Sequence, residues 1–111
     1  MPRLLSTTLF TIALMAAGGN AAVYKGQREY QKKCKSCHAN GQEIAAAYKR
    51  QEWKILMEDH GKGLAELHLK STKAKDSWHY FEGSSYKKHS KDLKDFMIEF
   101  AKDSGNVPAC N

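Results

Sequence analysis

The stretch KKCKSCHANG, from Lys32 to Gly41, constrains this chain more than any other, because Cys34, Cys37 and His38 crowd into it. Two thiols and an imidazole are the side chains that hold metals or form covalent bridges, and this spacing is that of a single helical turn. Positions i, i+3 and i+4 of such a turn share one side. Which chemistry they serve depends first on compartment, because redox environment decides the fate of cysteine.

The chain opens MPRLLSTTLFTIALMAAGGNAAVYKG. Arg3 is the sole charged residue before Lys25, residues 4–17 are mostly apolar, and small residues follow to Ala22. That order is the pattern of a secretory signal peptide. It predicts removal of residues 1–22, with cleavage after Ala21 or Ala22, and a bacterial periplasmic destination. The apolar run is too short to span a bilayer comfortably and no second one follows, so stable membrane insertion is not expected. Residues 23–104 then form one small domain, and residues 105–111 form a tail that carries Cys110. A chain of this size buries only about 60–65% of its unfolded surface. Such domains commonly complete their core with a disulfide, a metal or a cofactor.

Three readings of the cysteines compete. A Cys34–Cys37 redox disulfide belongs in a strand–helix unit, and the flanks here carry no β-rich run. A zinc site from Cys34, Cys37, His38 and Cys110 has acceptable donors, but lacks a second close-spaced pair. Cys-x-x-Cys-His is also the attachment sequence of a c-type haem. There both sulfurs form thioethers to the porphyrin, and the adjacent histidine becomes the proximal iron ligand. This third reading uses every residue of the motif and agrees with export.

The rest of the chain reads as helical. Residues 25–33 suit a short helix leading into the motif. Trp53, Leu56, Met57 and His60 share one helix face, punctuated by Gly61 and Gly63. Leu64, Leu67 and His68 repeat that spacing. Residues 70–76 read as a polar loop, and SWHYFEGSSY as an irregular aromatic stretch. Ser90 reads as the N-cap of a last helix that Gly105 ends, with Leu93, Phe96, Met97 and Phe100 as its apolar stripe. The expectation is an all-α fold of three to four helices around something large and apolar.

On these residues the chain resembles the class I c-type cytochromes. Besides the motif, Gly26 and Tyr30 match that family's glycine–aromatic pair, which packs on the C-terminal helix. Leu93 and Phe96 match the leucine–aromatic pair of that helix. The resemblance implies a small cytochrome c fold around one covalent haem c, held by Cys34 and Cys37 with His38 as proximal ligand. It departs from the pattern twice. No proline follows the motif closely, the only two being Pro2 and Pro108, so another acceptor is needed for the His38 Nδ1–H. No methionine lies between Met57 and Met97. Counting back from Leu93 by the family's interval lands on His79, the expected distal ligand. Met57 and His60 are the alternatives, with further claims from His68 and from His89.

The function implied is one-electron transfer between redox proteins, without enzymatic turnover. A second histidine on the iron favours the ferric state and a low potential. A haem-based gas sensor or small haem enzyme, with an open or labile distal position, is the competing function. The net formal charge of +6, with Lys32, Lys33, Lys35, Lys73, Lys75, Lys87 and Lys88 in the sequence near the expected site, suits acidic docking surfaces. Export argues against nucleic acid as the partner, and Trp78, Tyr80, Phe81 and Tyr86 are expected to wall the haem. Cys110 is left for an intermolecular disulfide in a dimer.

Overall fold

A computed structural model describes residues 18–108, and these fold as an all-α domain. The order is α1 (Gly18–Lys33), α2 (Gly41–Ala45), α3 (Arg50–Leu56), α4 (Glu58–Leu69), a 3-10 turn (Thr72–Ser77), α5 (Trp78–Glu82) and α6 (Ser84–Glu99). Six α-helices replace the three to four expected, and no strand occurs among the described residues. None of these helices is long and apolar enough to cross a membrane. The expected cleavage site at Ala21–Ala22 lies within α1, while the apolar run at residues 4–17 and Cys110 fall outside the described residues.

The two long helices, α1 and α6, pack against each other through Gly26. A Cβ placed on Gly26 would lie 2.6 Å from the Asp92 carbonyl carbon and 2.7 Å from Phe96 Cβ. Only the missing side chain lets the backbones approach so closely. One turn later Tyr30 meets Phe96, ring centres 5.9 Å apart. Leu93, Phe96 and Met97 are buried as the stripe predicts.

Two elements depart from the expected pattern. Gly83 is extended (φ −88°, ψ 162°) and separates α5 from α6, so the aromatic stretch is helical on both sides of a sharp break. Ser90 is therefore inside α6, where its hydroxyl donates back to the Lys87 carbonyl at 2.9 Å. The helix also ends at Glu99, well before Gly105.

The second departure divides the face containing Trp53 and His60. Asp59, His60 and Gly61 all take left-handed φ values of 50°, 55° and 73°. Two non-glycine residues there are strained, and strain of this kind persists only where neighbours enforce it. Here the Tyr86 hydroxyl, on α6, donates to the Gly61 carbonyl at 2.5 Å. A Cβ on Gly61 would collide with that tyrosine. The kink turns the remainder of α4 so that Leu64, Leu67 and His68 reach the same cleft as the Cys-x-x-Cys-His turn.

Gly26→Ala is expected to lower unfolding stability by about 3 kcal/mol, the upper end for overpacking a well-filled contact. Urea unfolding followed by circular dichroism measures this. An unchanged midpoint would mean that α1 and α6 are not in backbone contact.

Candidate functional site

The motif continues α1 by one more turn. Cys34 N–H donates to the Tyr30 carbonyl at 2.8 Å, and His38 N–H to the Cys34 carbonyl at 3.0 Å. The turn is held at its far end by the Tyr30 hydroxyl, which donates to the Ala39 carbonyl. Asn40 then caps α2 by accepting from the Glu43 N–H at 3.0 Å. Tyr30 thus joins the α1–α6 contact to the motif: its ring rests on Phe96 while its hydroxyl fixes the exit of the turn.

Cys34, Cys37 and His38 border a cleft of about 500 Å³, within the range of small-molecule and cofactor sites. Its walls are largely apolar: Ile44 and Ala47, Trp53 and Leu56 of α3, Leu64 and Leu67 of α4, Phe81 of α5 and Met97 of α6. Lys33 and Lys73 are exposed and also border it. The Trp53 indole donates to the Ala45 carbonyl at 2.8 Å, tying α3 to α2 on this wall.

Opposite the motif stands His68. Its ring centre lies 5.8 Å from that of His38, and the two planes are 79° apart. Two imidazoles sharing one metal ion end to end have centres about 6 Å apart, given metal–nitrogen bonds of about 2 Å. His68 Nδ1 lies 2.8 Å from the Leu64 carbonyl. A carbonyl only accepts, so Nδ1 carries a proton; in the neutral ring this leaves the Nε2 lone pair free, the form in which histidine ligates a metal.

The other histidines and Met57 are placed elsewhere. His79, expected at the distal position, is exposed on α5 and does not line the cleft. Counting back from Leu93 took residues 78–80 for a loop, whereas they begin a helix that turns Phe81 rather than His79 inward. His60 sits exposed in the kink, Met57 is buried in the core, and His89 is half-buried on α6. None of these borders the cleft. His68 was legible as a polar residue on the apolar Leu64–Leu67 face, but the sequence offers nothing to show the kink that aims it.

Cys34 and Cys37 are free thiols. Burial, followed by the charges of Glu29 and Cys37, pushes the Cys34 thiol up to about 12. The thiolate is the form that exchanges disulfides or binds zinc, so this environment disfavours both for Cys34. Among the described residues, no three His, Cys, Asp or Glu side chains converge to hold a metal ion. The fourth zinc donor considered, Cys110, lies outside them. Partial desolvation, then the neighbouring His68, lowers the His38 pKa and favours its neutral, ligating form. Among the described residues no hydrogen bond holds the His38 ring.

These residues fit a haem better than a bare ion. The cleft offers two sulfurs at one edge, an apolar enclosure and two imidazoles with ring centres 5.8 Å apart. Searches against family models, characterised proteins and solved structures returned no match. The reading of the site therefore stands on its own geometry.

In protein made without haem attachment, iodoacetamide at mildly alkaline pH is expected to alkylate exposed Cys37 at least about ten-fold faster than Cys34. Peptide mass mapping over time reads the two rates, and equal rates would contradict the burial of Cys34.

Proposed function

We propose that this chain is a monohaem c-type cytochrome that carries single electrons between redox proteins. Cys34 and Cys37 form the haem thioethers, His38 is the proximal ligand and His68, rather than His79, is the distal one. The carrying observation is the His38–His68 pair, 5.8 Å apart across an apolar cleft edged by both cysteines. The haem supplies a metal centre that gains and loses one electron. The protein supplies the donors, a water-poor enclosure and an exposed edge for brief docking.

The α1–α6 crossing through Gly26, Tyr30, Leu93 and Phe96 agrees with a small cytochrome c fold. Histidine on both sides favours ferric iron and a low potential. His68 also lies in the last turn of α4, whose carbonyl end is negative and adds to the same preference. Lys33 and Lys73 oppose it weakly, since exposed charges are screened by salt. Those lysines give the mouth of the cleft a basic edge suited to acidic partner surfaces. The leader at residues 1–22 supports export to the periplasm, where haem attachment and a Cys110-linked dimer are both chemically permitted.

Expression with a haem-attachment system is expected to give a red protein whose mass includes one porphyrin, with six-coordinate low-spin spectra in both oxidation states. His68→Ala abolishes that low-spin signature, whereas His79→Ala leaves it intact. The wild-type potential lies below that of His/Met cytochromes, and His68→Met raises it. Colourless protein overturns the reading, and loss of the signature only in His79→Ala moves the ligand to His79. Rapid carbon monoxide binding by native ferrous protein would instead favour the sensor.

A further inference from the structure

The distal histidine is held on several sides. Phe81 stacks on its ring with centres 4.1 Å apart and planes 26° apart. The Leu64 carbonyl fixes Nδ1. The Trp78 indole donates to the His68 carbonyl at 2.8 Å and to that of Ser71 at 3.2 Å. Phe81 and Trp78 both belong to α5. Phe81 is itself buried and braced by Tyr86, ring centres 4.8 Å apart, and by Tyr80 at 5.3 Å.

We infer that Phe81 is a positioning residue that locks the His68 imidazole on the metal and so closes the distal position to small diatomic ligands, with Trp78 holding the backbone beneath it. This rests on the proposed function, since it assumes that His68 is the ligand.

The physical argument concerns freedom lost. A histidine on an exposed helix end samples several rotamers, and each departure from the ligating one opens the sixth position. The Nδ1 bond restricts rotation about the ring axis. A flat aromatic face lying nearly parallel to the imidazole blocks the sideways swing. The Trp78 bond prevents the last turn of α4 from fraying and carrying the ring away. An external ligand binds only as often as His68 leaves, so the closed population sets the apparent binding rate. A leucine at position 81 fills similar space without a flat face.

The test uses the haem-loaded protein as wild type, Phe81→Leu, Phe81→Tyr, Trp78→Phe and, as a distant aromatic-to-leucine control, Phe100→Leu. Ferric spin state is read by absorbance and electron paramagnetic resonance, and carbon monoxide binding to the ferrous form by stopped flow. Phe81→Leu is expected to bind carbon monoxide about ten-fold faster than wild type, a ratio within reach of one lost ring stack, and to show a partial high-spin signal. Phe81→Tyr restores wild-type behaviour, Trp78→Phe shifts the same way by about three-fold, the scale of one hydrogen bond, and Phe100→Leu shifts neither readout. If Phe81→Leu does not fold, Trp78→Phe carries the test, and wild-type kinetics there overturn the inference. Wild-type spin state and kinetics in Phe81→Leu overturn it, as does a Phe81→Tyr variant as labile as Phe81→Leu. Failure confined to these variants, with His68→Ala still losing the low-spin form, leaves the cytochrome reading standing. A wild type without haem overturns both.

Discussion

The close approach of α1 to α6 at Gly26 is the contact from which the site is built. With no side chain between the backbones, Tyr30 is brought onto Phe96, and its hydroxyl reaches the Ala39 carbonyl. That bond fixes where the Cys-x-x-Cys-His turn leaves α1. The same α6 carries Met97 to the cleft and Tyr86 to the kink of α4. One helix therefore sets both walls: the motif through Tyr30, and the direction of His68 through Gly61. A shift of α1 along α6 would move one wall relative to the other.

Much of this was readable in the residues. The pairs Gly26–Tyr30 and Leu93–Phe96 name the two helices that meet, as the family resemblance implies and as their contact shows. The motif names one wall because its donors share a helical turn. The opposite wall was not readable in the same way. Asp59 and His60 are ordinary residues by propensity, and their left-handed conformations are imposed by a tyrosine 26 positions beyond His60. A tertiary hydrogen bond of that range leaves no local trace. The helical face from Trp53 to His60 therefore seemed continuous when it is broken, and His60 points to solvent. Similarly, Ser90 has the chemistry of a cap but spends its hydroxyl on the Lys87 carbonyl, so α6 begins at Ser84 and the residues expected as a ligand loop become α5.

The exposure of His79 and the contacts made on His68 have one source. Residues 78–80 were expected to bring His79 to the iron from an irregular stretch, and they form a helix instead. In that conformation Phe81 and the Trp78 indole face His68 while His79 faces water. In the proposed reading, the segment that supplies a ligand in the resembling family supplies the support of one.

A distal ligand on a helix, restrained at its ring and at its carbonyl, suits electron transfer better than ligand sensing. A sensor needs an iron position that opens when the right molecule arrives, and the restraint must be weak enough to yield. A carrier needs the same ligands before and after the electron moves, because any bond broken on reduction must be remade on oxidation. Sites on rigid elements supported by neighbouring packing hold geometry better than sites on loops. Here His38 follows directly from α1 and His68 belongs to α4, with α5 and α6 packed behind. In that setting exchange of charge is left to the open edge, where Lys33 and Lys73 stand exposed.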